Sequence, residues 1–158
     1  MTDSLATEVL ALARAAGLMI ATAESCTGGL VAGALTAIPG SSDVVDRGFV
    51  TYSNAAKREM LDVRAETLDA QGAVSEAVAA EMVLGALSHS GAGLAVSITG
   101  IAGPGGSEFK PEGRVCFGIA RKGGSAHTET IDFGPLGRAE VRAASVQHAL
   151  ILLKSALS

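Results

Sequence analysis

Three polar segments interrupt an otherwise apolar chain and hold most of its reactive side chains: residues 22–29 (TAESCTGG), 52–57 (YSNAAK) and 99–106 (TGIAGPGG). Ser25 stands where a nucleophile would. It follows a short apolar run and precedes two glycines, so its hydroxyl falls at a strand-to-helix turn beside the free amides of the next helix. The GxSxG pattern of the α/β-hydrolase elbow is missing, and Ser25 or Thr27 could equally be a plain helix cap. Cys26 is a rival nucleophile, but no histidine lies near it in sequence to form a thiolate pair.

A hydroxyl needs a base. His89, His127 and His148 fall at a helix end, in a hairpin and in the last helix, away from all three segments, so a Ser-His-Asp triad is not expected. Lys57 is the better candidate. It lies about one turn into a helix that follows a strand, where burial would favour the neutral amine; the ordinary alternative is a solvated helix lysine. Tyr52, the only tyrosine, offers a hydroxyl to orient that amine or relay a proton, or else packs as strand tyrosines do. The third segment lacks both GKS/GKT and GxGxxG, which leaves a phosphate cradle of backbone amides. Arg138 and Arg142, one helical turn apart, either grip a phosphate or bond Glu140 and solvent. No ligand spacing for zinc or calcium is present, so a catalytic metal is not indicated.

These segments must be positioned by regular elements. A helical stripe at Leu5, Val9, Leu10 and Leu12 ends at Gly17, and residues 18–23 form a short buried strand. A helix is expected over about 28–38, a strand over 48–53, and helices over 54–61 and 64–70. Ser75 caps a long helix over 76–89, and residues 94–99 form a third strand. Residues 115–120 and 128–133 flank Gly123-Gly124-Ser125 as an antiparallel hairpin before a final helix over 138–156. The pattern predicts a three-layer α/β/α fold with a mixed, mostly parallel sheet of about five strands and a C-terminal hairpin. In such sheets ligands bind beyond the carboxyl ends of strands, where all three polar segments converge.

Composition narrows the possibilities further. With 158 residues, 48% apolar and 18% charged, the chain reads as one domain over 1–158 with a real core. Twelve Lys+Arg against sixteen Asp+Glu give a net charge of −4, and aromatics are 3%, which argues against nucleic acid as the main partner. The first twenty residues carry Asp3 and Glu8 and lack a signal peptide's continuous apolar stretch, and no run approaches the roughly 20 residues of a membrane span. Cys26 and Cys116 form no CxxC, which suits a reducing cytoplasm.

Taken together, the motifs resemble the CinA carboxy-terminal domain family, whose members include nicotinamide-nucleotide amidohydrolases. The resemblance rests on residues 22–29 as TAESCTGG, 40–42 as GSS, 47–57 as RGFVTYSNAAK, 72–75 as GAVS, 97–104 as SITGIAGP and 110–113 as KPEG. It implies hydrolysis of the carboxamide of nicotinamide mononucleotide to nicotinic acid mononucleotide and ammonia, without a cofactor. By position it makes Ser25 the nucleophile and Lys57 its base, with Tyr52 assisting. Amides around Thr27, Gly28 and Gly29, with the Thr99 hydroxyl, would hold the oxyanion. Ser42, Gly100 and Gly103 join the substrate-binding set, and Arg142 is assigned to the phosphate. The resemblance further implies a homodimer and the stand-alone form without a fused amino-terminal domain. One departure is visible: some relatives carry an extra acidic residue before the paired glycines of the loop at Gly103-Pro104-Gly105-Gly106. The competing reading is a catalytically silent nucleotide-binding or interaction module.

Overall fold

The computed structural model describes residues 2–158. Its five-stranded sheet has the order β2-β1-β3-β4-β5. Strand β1 (Ile20–Glu24) runs parallel to both β2 (Val45–Val50) and β3 (Leu94–Gly100), with Glu24 opposite Val50 on one side and Ile98 on the other. Strand β4 (Arg114–Arg121) is antiparallel to β3, and β5 (His127–Asp132) is antiparallel to β4. Only β4 therefore opposes the common direction, and β1, β2 and β3 all deliver their carboxyl ends to one edge of the sheet.

Alternation along the strands sorts large side chains to one face and small ones to the other. Ile20, Leu94, Val96, Ile98, Val115 and Phe117 pack with helices α1 (Thr2–Ala16), α2 (Leu30–Thr36) and α6 (Arg138–Leu157) through Leu10, Leu35, Leu150 and Leu153. Each such side chain removed from water contributes about 1.5–3 kcal/mol. On the opposite face Ala21, Ala23, Ala95 and Ala120 meet helix α5 (Glu76–Ser88) and Leu61 of α3 (Asn54–Leu61). The small residues let α5 come close: a Cβ on Gly118 would lie 2.8 Å from the Ala79 carbonyl oxygen, to which Ser97 Oγ donates at 2.7 Å. Helix α4 (Ala65–Gln71) buries no residue. Three layers result, as the alternation of strands and helices predicts.

Two elements differ from the expectation in ways that matter. The second strand is Val45–Val50 rather than 48–53, so Thr51 and Tyr52 stand beyond its end. The helix expected from about residue 28 begins at Leu30, because Gly28 and Gly29 have φ of 56° and 103°, values that end the turn and exclude the α-helical region. Among the described residues no helix is long and apolar enough to cross a membrane.

Candidate active site

The first polar segment begins as an extension of the sheet. Ser25 N–H donates to the Ile98 carbonyl at 2.9 Å and Thr51 N–H to the Glu24 carbonyl at 2.8 Å, so the serine leaves the sheet between β2 and β3. Beside it the fully buried Glu24 carboxylate accepts from Thr27 Oγ1 at 2.6 Å, Val31 N–H at 2.9 Å and Ala32 N–H at 3.0 Å. Two of these donors are first-turn amides of α2, which have no intrahelical partner and sit at the positive end of the helix. From the other side Arg142 donates to the Cys26 carbonyl at 3.1 Å and the Thr27 carbonyl at 3.5 Å. Because the peptide is planar and trans, the Thr27 N–H points away from that guanidinium.

The base candidate comes from α3. Ser53 caps this helix, its Oγ accepting from Ala56 N–H at 3.0 Å, and Lys57 and Leu61, one turn apart, form its buried face. Lys57 is 1% exposed. Its Nζ lies 3.1 Å from Ser25 Oγ, 3.1 Å from the Thr51 carbonyl and 3.4 Å from the Tyr52 carbonyl. Burial lowers its pKa from the ordinary lysine value, while Cys26 and Glu108 oppose that shift. A neutral amine has two N–H bonds and one lone pair. In that form the two carbonyls would accept the N–H bonds and the lone pair would be left to accept from the Ser25 hydroxyl; in the ammonium form Nζ donates to Ser25 Oγ as well. Cys26 is disfavoured as the nucleophile, since burial pushes its thiol up to about 12.

Both side chains open into a cavity of about 350 Å³, within the usual range of about 300–1,000 Å³ for small-molecule sites. Ser25, Lys57, Tyr52, Thr99, Gly100 and Gly103 all line it, together with Arg138 and Glu108. Thr27, Gly28, Gly29, Ser42 and Arg142 are not among its walls. Thr27 spends its hydroxyl on Glu24, and the Gly28 N–H donates to the Ser25 carbonyl at 2.9 Å. Ser42 lies in a 3₁₀ turn (Ser41–Asp43) that leads into β2, at the opposite end of the strands from Ser25. The Tyr52 hydroxyl accepts from Arg138 at 2.7 Å, and only its carbonyl faces the lysine. Thr99 Oγ1 donates to the Ala73 carbonyl at 2.9 Å.

Two acids escaped the sequence reading. Besides Glu24, Glu112 takes the Gly105 N–H at 2.7 Å on one oxygen and the Gly137 N–H at 3.0 Å on the other, tying the glycine-rich loop to the start of α6. Gly103 has to be glycine there, because its φ is 91° and a Cβ would lie 2.5 Å from the Glu112 carboxyl carbon. A carboxylate ending an apolar strand, and the glutamate of KPEG, were the available signals.

The fold and the pair define an α/β domain with a buried serine–lysine couple at its strand ends. The family model of the CinA C-terminal domain matches residues 2–157, and the chain belongs to that family. It is 51% identical over 154 residues to the nicotinamide-nucleotide amidohydrolase PncC of Enterobacter agglomerans, covering 97% of this chain and 92% of that protein. A CinA-like protein of Chlorobium phaeobacteroides is 59% identical over 120 residues, 74% of this chain but 29% of the relative, so the chain spans under a third of that longer protein. The crystal structure of the competence/damage inducible protein CihA from Agrobacterium tumefaciens superposes with a TM-score of 0.94 at 52% identity, covering 99% of this chain and 94% of the other.

Proposed function

We propose that the chain hydrolyses the carboxamide of nicotinamide mononucleotide, with Ser25 as nucleophile and Lys57 as general base. The observation that carries this reading is the buried contact of Lys57 Nζ with Ser25 Oγ at 3.1 Å. The Ser25 proton passes to Nζ as Oγ attacks the amide carbon, whose electrophilicity the attached pyridinium ring raises. Backbone donors at the cavity wall beside Ser25 hold the oxyanion. Collapse of the tetrahedral intermediate returns the proton from Nζ to the leaving nitrogen, releasing ammonia and an acyl-serine ester. Water then gives a proton to the neutral amine, attacks the ester and frees nicotinic acid mononucleotide, and Ser25 recovers its proton. Similarity to proteins named nicotinamide-nucleotide amidohydrolase supports this substrate.

In this reading Arg138 and the loop amides receive the phosphate, because Arg138 is the guanidinium that lines the cavity. Arg142 then serves by holding the nucleophile's turn. The test is ammonia release from nicotinamide mononucleotide beside free nicotinamide. Ser25→Ala and Lys57→Ala should each lower turnover by at least about 10³-fold while leaving the circular dichroism spectrum unchanged. Normal turnover in either variant would refute the pair, and ligand binding with no ammonia from the unaltered protein would favour a silent module.

A further inference from the structure

The tip of the glycine-rich loop is a two-residue hairpin turn of unusual composition. Ser107 and Lys110 exchange hydrogen bonds at 3.0 and 2.8 Å, and between them Glu108 and Phe109 have φ of 51° and 63°. Positive φ at both central positions is the type I′ arrangement, which asparagine and glycine adopt at little cost and other residues seldom do. The two side chains diverge. Phe109 is fully exposed, whereas Glu108 lines the cavity and is its only acidic residue, facing the same space as Arg138.

The Glu108 carboxylate reaches the connector before α5: a Cβ on Gly72 would lie 2.5 Å from Glu108 Oε2, and Ala73 and Val74 beside it line the cavity. Lys110, close by, spends its amine on the Gln71 carbonyl at 2.8 Å and the Val74 carbonyl at 2.5 Å. Among the described residues Glu108 has no hydrogen-bond or ion-pair partner, while Glu24, Glu76 and Glu112 each hold two or more donors. Glu108 is also near enough to Lys57 to favour its ammonium form. A cavity with one guanidinium and one unpaired carboxylate suits a ligand carrying both charges. An oxidised pyridine mononucleotide is such a ligand, with an anionic phosphate at one end. Its cationic ring nitrogen is meta to the carboxamide that must reach Ser25.

We propose that Glu108 is a specificity-determining residue that reads the ring's charge, favouring the cationic pyridinium mononucleotide over its uncharged dihydropyridine form. The inference deepens the substrate reading above and rests on it. The two forms share phosphate, ribose and carboxamide, so they isolate the ring charge. Dissociation constants are measured by calorimetry on the Ser25→Ala protein, which holds ligand without turnover. The oxidised form should bind about fivefold more tightly than the reduced form, the size of a partly exposed charge pair. Glu108→Gln should bring the two within about twofold while leaving the reduced form's affinity unchanged, and Glu108→Asp should retain most of the preference. Added salt should shrink the ratio in the Glu108 protein and leave it flat in the Gln variant. An unchanged ratio in Glu108→Gln, an equal loss for both forms, or no binding of either form would overturn the proposal. Ammonia release by protein retaining Ser25 reports separately on the substrate reading. Release with a Glu108-independent ratio sinks only the charge selection, and a Glu108-dependent ratio without release sinks only the hydrolytic reading.

Discussion

The turn that carries Ser25 and the loop that faces it across the cavity are both short, polar and glycine-bearing, yet they are held in different ways. Around Ser25 the bonds are mostly internal: Glu24 gathers three donors at full burial, and Arg142 arrives from the last helix. Residues 104–109 are exposed, and the loop is fastened by Glu112 and Lys110. In the proposed reaction the first region would set the attack angle, where a displacement of about 1 Å costs on the order of 10²-fold in rate. The second lines the cavity with exposed residues. The proposed bond chemistry and the proposed recognition thus fall to a buried turn and an exposed loop.

This contrast can be broken from either side. Apart from losing Ser25 or Lys57, the largest effect is expected from Glu24→Ala, which strands the Thr27 hydroxyl and two helix amides in the interior. Urea unfolding should show a loss of about 3 kcal/mol, with turnover falling as the turn loosens. A loss within 0.5 kcal/mol, about the level of a surface change, would show that the turn does not depend on that carboxylate.

Titration of Lys57 comes next. Its folded pKa lies below its unfolded value, so turnover should rise with pH along a limb set by the lowered lysine pKa. Between the folded and unfolded values the unfolded chain binds more protons, so this group makes stability increase with pH across that window. Lys57→Met should flatten that slope in urea unfolding followed across the window, and a slope unchanged in the variant would show that another group carries it.

On the loop the effects should be smaller. Glu112→Gln keeps one acceptor but sets an amide NH₂ against a backbone donor, so KM for the mononucleotide should rise about two- to fivefold with kcat little changed. A fall in kcat alone would place Glu112 with the chemistry instead. The smallest effect belongs to Phe109→Gly, which relieves a left-handed residue that is fully exposed, for a gain of no more than about 1 kcal/mol in thermal unfolding.

The same contrast explains what could be read in advance. Helix α3 over Asn54–Leu61 and the Ser75 cap of α5 were legible because capping residues and apolar periodicity agreed. The second strand was misplaced because Val45–Val50 is an edge strand with Asp46 and Arg47 within it, while Phe49 to Tyr52 carry the stronger β signal. Ser25 and Lys57 announced themselves by residue type and place, and their meeting at a cavity is a finding of the fold. Roles that depend on long-range partners were not legible. No local pattern says that the Tyr52 hydroxyl meets Arg138, 86 positions away, or that Arg142 rather than Arg138 reaches the Cys26 carbonyl.

That last bond spans 116 positions of chain. A nascent polypeptide emerging from the ribosome carries its serine and amine long before the guanidinium that bonds the serine's turn has been synthesised. The bend at Cys26 and Thr27 therefore gains this bond only once the final helix has been made, among the last local arrangements of the chain to be completed.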